Sequence, residues 1–321
     1  MHEQEERLGE IFMPHAARKK KALLDKRGRL VHYTTAENAL NIIKTHTIWL
    51  RNALGMHDYS EVQHGFSQIK EYLHQNESGN LIKFNGIFEN CFKDAVIDGI
   101  KLFDQWWSAI QNSTYIGCFS EHTTEENEHG RLSMWRAFGK NTAAVAIVLK
   151  FPDPHSAIPL KVFLSPVAYF KPDELDIEFN QVMSNIESNL DFIKTLPRET
   201  VVGTIYVMLM MATVSLKHPG FHEEREWRLI HNPAQFSSLH VLTDTKTIGG
   251  VPQIIHKVIL ENKPDEQITN ISLSDLLDRV IIGPSQYSFT IWESLVKELG
   301  LAGVAEAHNK VFISGIPLRA N

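Results

Sequence analysis

Apolar residues along the 321-residue chain fall into short runs rich in Val, Ile and Leu, separated by longer stretches with helical spacing. The short runs predict strands at residues 30–33, 47–50, 115–120, 143–151, 162–170, 227–230, 258–260, 280–282 and 311–313. The longer stretches predict helices from about 61 to 110, from 173 to 196 and from about 286 to 299. Because strands and helices are mixed without a regular βαβ alternation, the pattern predicts the α+β class.

Two helices can be placed more closely. Thr34 precedes an amphipathic stretch with Glu37 at capping-box spacing, which predicts a helix that begins after Thr34. The run from Val201 to Leu216 is uncharged and apolar, but its 16 residues fall short of the roughly 20 that a membrane-spanning helix needs. We therefore expect a buried helix there and no membrane association.

The chain shows no internal repeat and no low-complexity linker. We expect an N-terminal helical and basic segment at residues 1–29, followed by a single α+β domain at residues 30–321. Helical insertions are expected near 61–112 and 172–217. The basic block from Arg18 to Arg29 is compatible with an anion or nucleic-acid contact, although a solvated helix face is the commoner explanation.

Composition excludes several classes of protein. Hydrophobic residues make up 43% and charged residues 22% of the chain, which argues against disorder and against a coiled coil. The net charge of −6 provides no overall attraction for nucleic acid. Two cysteines, Cys91 and Cys118, cannot form a disulfide framework, and the N-terminus is charged where a signal peptide is apolar. A cytoplasmic location is the expectation.

Several common chemistries lack their motifs. The sequence has neither GxGxxG after a strand nor GxxxxGK[ST], so neither common nucleotide cradle is indicated. His222-Glu223 is not followed by the second histidine of HExxH, and the two cysteines lack zinc-site spacing, so no metal is predicted. A GxSxG nucleophile elbow is also missing.

Two segments carry candidate binding residues. In "VHYTT", His32 lies at the end of a strand and can offer an imidazole nitrogen to a ligand, although a bond to the local backbone is the commoner role. In "LSMWRAFG", Trp135 and Phe138 could stack on a ring while Arg136 holds an anion. Ordinary core and surface packing explains these three residues equally well.

A third segment, "FHEEREWRLI", places Glu224, Glu226 and Arg228 at period two, so that on a strand they would project from one face. Carboxylates close together repel, and burying one costs free energy, so this face needs compensation. Arg228 can supply it as a structural ion pair. On this segment alone, a structural role and a catalytic role remain equally supported.

Taken in order, "HYTT", "MHDYSE", "CFSE", "LSMWRAFG", "EEREWRLI", "RVIIGP" and "VFISGIPLR" resemble the domain of unknown function 2971 family, from about Leu30 to Arg319. That family looks distantly similar to the ADP-ribosyltransferase fold, in which small antiparallel sheets surround a central cleft that holds NAD. The resemblance therefore implies an ADP-ribosyltransferase-like α+β fold with long helical insertions. It also implies NAD as a substrate, with ADP-ribose passing to an unidentified protein or nucleic-acid acceptor.

The resemblance also assigns site residues. His32 takes the position of a histidine on the first strand, where it would orient a ribose or the carboxamide, with Tyr33 beside it. Phe138 takes an aromatic position that more often holds tyrosine, and Glu226, in preference to Glu224, takes that of the catalytic glutamate. Trp135 or Phe138 would face the nicotinamide ring, and Arg136 or Arg228 the pyrophosphate.

Other features of the resemblance carry no assigned role. Asp58 and Glu61 match an Asp and a Glu of the family pattern.

A non-catalytic module that kept the fold and binds a nucleotide or a protein is the alternative function, and the oligomeric state is not indicated. The three-residue NAD site that the resemblance implies requires His32, Phe138 and Glu226 to converge on one cleft.

Overall fold

The computed structural model describes residues 2–56, 61–74, 79–139, 143–153 and 158–317. Its helices are α1 (His2–Phe12), α2 (Pro14–Asp25), α3 (Ala36–Thr45), α4 (Glu61–His74), α5 (Asn80–Gly86), α6 (Ala95–Asn112), α7 (Leu132–Phe138), α8 (Pro172–Ser188), α9 (Leu190–Ile193), α10 (Arg198–Ser215), α11 (Leu273–Leu276) and α12 (Ser288–Leu301). Its strands are β1 (Arg29–Thr35), β2 (Thr47–Asn52), β3 (Tyr115–His122), β4 (Ala144–Lys150), β5 (Phe163–Pro166), β6 (Glu226–His231), β7 (Val241–Ile248), β8 (Val251–Ile259), β9 (Leu277–Ile282) and β10 (Val311–Ile313).

The chain divides into two compact units. Unit 1 comprises Met1–Ala22, Asn52–Thr114 and Ser165–Glu223, and unit 2 comprises Leu23–Arg51, Tyr115–Leu164 and Glu224–Asn321. The predicted helical insertions fall in unit 1, whereas the predicted strands fall almost wholly in unit 2. The division into an N-terminal segment and one domain at residue 30 stays a prediction.

Unit 1 is built around α10, which packs against α4 and α6. Apolar residues lie on all sides of α10, so the helix is buried rather than half-exposed. Its buried residues include Val201, Ile205 and Leu209. The prediction of a buried helix at residues 201–216 is therefore confirmed. Within the described ranges, no helix is both long and apolar enough to cross a membrane.

The strands form one mixed sheet with the order β10-β9-β4-β1-β3-β2-β8-β7, while β6 pairs with β3 and β5. The registered pairs are antiparallel except for β9 with β10. The α+β class is confirmed. The strands differ from the expected arrangement of small sheets, because they are joined in a single ten-stranded sheet.

The sheet branches at β3. Ser120 of β3 pairs with Val31 of β1 and with Glu226 of β6, so β1 and β6 lie on opposite edges of β3. Pairing with β6 extends along β3 from Tyr115 to Ser120, which leaves β2 on the same edge as β1. Strands β1 and β2 therefore diverge from one edge of β3, immediately after the last β1–β3 pair at Val31.

The two faces of this sheet carry different packing layers. On the Trp227 face, Leu30, Phe119 and Trp227 join the larger hydrophobic core. On the Trp135 face, Val31 and Tyr33 pack with Trp135 of α7. Because side chains alternate along a strand, each residue of β1, β3 and β6 can be assigned to one of these faces.

The start of α3 differs from its predicted position by one residue. Thr35, not Thr34, is the N-cap, and its side chain accepts a hydrogen bond from the backbone N–H of Asn38. The reason is that β1 continues to pair with β4 through Thr35, opposite Ala144, so Thr34 is still part of the strand.

Candidate functional site

Tyr33 lies in the layer between β1 and α7. Its ring meets Trp135 edge-on with centroids 4.9 Å apart, and its hydroxyl accepts a hydrogen bond from the backbone N–H of Arg131 at 2.9 Å. Burial raises the pKa of Tyr33 to about 12, so the phenol stays protonated near neutral pH. With 3% of its surface exposed, Tyr33 packs in this layer and does not face solvent.

Trp135 anchors α7 to the sheet. It is 2% exposed, and its Nε1 donates a hydrogen bond to the carbonyl of His129 at 2.7 Å. A Cβ on Gly283 would come within 2.8 Å of the indole ring, so only glycine allows this close packing. The ring is therefore occupied by core contacts, and Phe138, which is 42% exposed on the same helix, is the aromatic side chain of α7 that a ligand can reach. Arg136 is also exposed.

His32 occupies the branch point of the sheet. Its Nδ1 lies 2.8 Å from the carbonyl oxygen of Cys118 in β3. Because a carbonyl can only accept, the imidazole donates this bond from Nδ1, and Nε2 is left as an acceptor. Burial lowers the pKa of His32, and the bond to Cys118 opposes this effect only in part, so the ring is neutral. This hydrogen bond gives the Cys118 carbonyl a partner at a point where β1 no longer pairs with β3.

Glu226 and Arg228 form a buried ion pair on β6. The carboxylate is in a residue 5% exposed and the guanidinium in a residue 2% exposed. Arg228 donates from Nε to Oε1 of Glu226 at 2.9 Å and from Nη2 to Oε2 at 3.3 Å. This forked contact orients both oxygens of the Glu226 carboxylate.

Glu224 is not on the strand. It ends a 3₁₀ turn, Pro219–Glu224, and Arg225 then has a left-handed φ of 44°, which interrupts the extended backbone before β6 begins at Glu226. The expectation that Glu224, Glu226 and Arg228 project from one strand face therefore holds only for Glu226 and Arg228.

Arg131, which the sequence analysis did not single out, links the loop at Glu224 to β3. Its Nη1 donates to the carbonyl of Glu224 at 3.1 Å and its Nη2 to the carbonyl of Glu121 at 2.8 Å. Its Nε donates to Glu126 at 2.9 Å, and Arg225 also contacts that carboxylate. Burial raises the pKa of Glu126, but the bonds from Arg131 and from the Thr123 backbone outweigh it and leave the pKa lowered.

Alternation along the paired strands decides which residues meet. Ser120 lies opposite both Val31 and Glu226, so Tyr33, Glu226 and Arg228 belong to the Trp135 face. His32 lies opposite Ile147 of the larger core and its ring is 5.5 Å from that of Phe119, so it belongs to the Trp227 face. The side chains of His32 and Glu226 therefore point to opposite faces, and the expected convergence of the two is not found.

Two residues of the family pattern cannot be placed. Asp58 lies outside the described residues, and so does the side chain of Glu61.

Comparison with known proteins identifies one family. The model of the family described as protein of unknown function (DUF2971) matches residues 134–229. This range contains most of α7 and most of β6, with Trp135, Phe138, Glu226 and Arg228, but it excludes β1 and His32. The predicted resemblance to that family is confirmed for residues 134–229, and its extension from about Leu30 to Arg319 stays a prediction. No curated protein and no solved structure matches the chain.

Proposed function

From the match of residues 134–229 to the model of the family described as protein of unknown function (DUF2971), we propose that unit 2 is an NAD-dependent ADP-ribosyltransferase. In this proposal, Glu226 is the catalytic carboxylate, and ADP-ribose passes to a macromolecular acceptor, either a protein or a nucleic acid. A cytoplasmic location is part of the same proposal, and neither Cys91 nor Cys118 forms a disulfide.

The observation that carries the proposal is the buried ion pair of Glu226 with Arg228. Replacing a buried ion pair by apolar residues is often neutral or stabilising, so such a pair is weak support for a purely structural role. Here the pair lies within the residues that match the family model. Its strand, β6, pairs with β3, and so does β1, the strand of His32. A catalytic role accounts for a buried carboxylate whose two oxygens are both oriented by Arg228 in this position.

The chemistry requires a fixed negative charge. When the bond between nicotinamide and ribose breaks, its electron pair leaves with nicotinamide and positive charge develops on the ribose. A preorganised carboxylate such as Glu226 would stabilise that charge, and comparable electrostatic groups contribute about 2.7–4 kcal/mol. A nucleophile of the acceptor then forms the new bond to the ribose and loses its proton.

The remaining candidates would position NAD without themselves stabilising the charge on the ribose. Phe138 offers an exposed ring on which the nicotinamide can stack, and Arg136 is an exposed cation for the pyrophosphate on the same helix. The His32 ring is on the Trp227 face, opposite to the side chain of Glu226, so the proposed site does not include His32.

A non-catalytic module that binds a nucleotide or a protein is the second candidate. The opposite orientations of His32 and Glu226 favour it, because an NAD site in the wider group uses the histidine and the glutamate together. Phe138 favours it as well, since it lacks the hydroxyl of the tyrosine more often found at that position.

Two measurements on the intact chain separate these candidates. Calorimetry with NAD and with ADP-ribose reports binding, and chromatography of a reaction with NAD reports nicotinamide release. The transferase predicts saturable NAD binding together with nicotinamide release. Binding of either ligand without release would establish a nucleotide-binding module, and the absence of both would contradict each nucleotide-based proposal.

A further inference from the structure

Unit 1 contains an apolar cavity whose lining includes none of the candidate site residues considered above. Its volume is about 130 Å³, and its walls come from the junction of α1 and α2, from α4, α8 and α10, and from residues 165–170. Every residue of this lining belongs to unit 1. The cavity is therefore a property of the helical unit alone.

The size and the walls of the cavity suit one aromatic ring. Edge-on contacts, Tyr72 with Phe179 at 5.0 Å and His15 with Phe170 at 4.9 Å, form two parts of the wall. For comparison, a dry engineered cavity of about 150 Å³ lined by Leu, Ile and Phe binds benzene. A ligand of this size would place its ring against walls that are mainly apolar.

One polar group of the wall has an unused acceptor. Glu178 accepts a hydrogen bond from Arg18 through Oε2 at 2.5 Å, whereas its buried Oε1 has no hydrogen-bond partner. A buried acceptor without a partner costs free energy. The neighbouring Ser165 and Ser215 hydroxyls are bonded to each other at 3.2 Å, and the Tyr72 hydroxyl donates to Asp176 at 2.6 Å.

We propose that this cavity binds a small, neutral, single-ring aromatic compound that carries one O–H or N–H donor, with Glu178 as the acceptor. A carboxylate oxygen can only accept, so the ligand must donate. The ligand is neutral because Arg18 already balances the charge of Glu178, and a second cation would enter apolar surroundings without compensation.

Phenol and toluene are the matched probes, since they differ by the donor and are similar in size. Calorimetry on the full chain would measure both affinities in the wild type and in Glu178→Met. Glu187→Met is the control, because Glu187 is exposed on the same helix α8. Ala212→Leu and, as a second variant, Ala168→Val would fill the cavity from two different walls.

The proposal predicts that phenol binds the wild type saturably and about tenfold or more tightly than toluene, as one hydrogen bond to a charged acceptor allows. Glu178→Met should remove this preference, Glu187→Met should retain it, and a folded cavity-filling variant should bind neither probe. Equal affinities for phenol and toluene would refute the role of Glu178. Absence of binding, or binding that survives filling, would overturn the site itself. Because no arm uses NAD, the result is independent of the function proposed for unit 2.

Discussion

At the scale of single residues, Trp135 shows how burial decides between two roles that the sequence leaves open. From "LSMWRAFG", stacking on a ligand and packing in the core are equally reasonable. The hydrogen bond from Nε1 to His129 and the close contact with Gly283 fix the indole in the core. Exposure distinguishes Trp135 from Phe138, three residues later on the same helix.

Phe138 provides the first prediction. If its exposed ring stacks on nicotinamide, Phe138→Ala should raise the Kd for NAD about threefold to tenfold, the range expected for an aromatic pair. Phe138→Trp should retain affinity. Leu132→Ala is the control, since Leu132 is exposed to a similar extent on α7. Calorimetry with NAD measures all three, and an unchanged Kd in Phe138→Ala would remove Phe138 from the site.

The placement of His32 relative to Glu226 was beyond sequence analysis for a different reason. Motif order identified both residues, but the face on which each side chain lies depends on strand register. Val31 and Ser120 are paired, and a shift of one residue would reverse the faces. No local pattern around "VHYTT" or "EEREWR" specifies that register.

At the scale of elements, short β-branched runs predicted nine strands, whereas β7 was missed. Strand β7 is largely exposed and carries Thr, Asp and Lys, so it lacks an apolar run. Its turn did give a signal: Gly249 and Gly250 have φ of 57° and 81°, as a two-residue hairpin of type I′ requires. The "GG" between two alternating segments would have been enough to predict the β7–β8 hairpin.

The cap of α3 provides the second prediction. Thr35→Ala removes the side-chain oxygen that accepts from Asn38, and it should lower the free energy of unfolding by about 1 kcal/mol. Thr35→Ser keeps the oxygen and should retain most of that stability. Urea unfolding followed by circular dichroism measures the difference. Equal stability of the alanine and serine variants would show that the cap contributes nothing.

At the scale of the whole molecule, segments that pack or pair with one another are far apart in the chain. Unit 1 is formed from three separated segments, and β6 reaches β3 from more than a hundred residues away. Local periodicity predicts the helices near 61–112 and 172–217 because it needs only neighbouring residues. Sheet order and the branch at β3 depend on long-range pairing, which one sequence does not encode in any local pattern.

Buried histidines provide the third prediction, a dependence of stability on pH. Burial lowers the pKa of His122 and of His256 to about 4, from an ordinary value of 6.5. Above pH 6.5, both rings are neutral in the folded and unfolded states, and they cause no pH dependence. Between pH 6.5 and about 4, the unfolded state binds protons that the folded state does not, so the free energy of unfolding should fall as the pH is lowered.

Variants can assign this loss of stability. His256→Phe keeps a ring against Tyr115 but cannot take up a proton, so it should reduce the loss between pH 6.5 and 4. His308→Phe alters an exposed histidine and should leave the pH dependence unchanged. Denaturant unfolding at a series of pH values measures both, and identical pH profiles for wild type and His256→Phe would contradict the assignment.

The central claim is that Glu226 is the catalytic carboxylate, and nicotinamide release from NAD by Glu226→Gln tests it most directly. The glutamine is isosteric and its oxygen can still accept from Arg228, so we expect the variant to fold and to bind NAD. Its rate should fall about 10²- to 10³-fold, while the control Glu223→Gln, at an exposed residue nearby, should match the wild type. Nicotinamide release by Glu226→Gln at the wild-type rate would contradict the account.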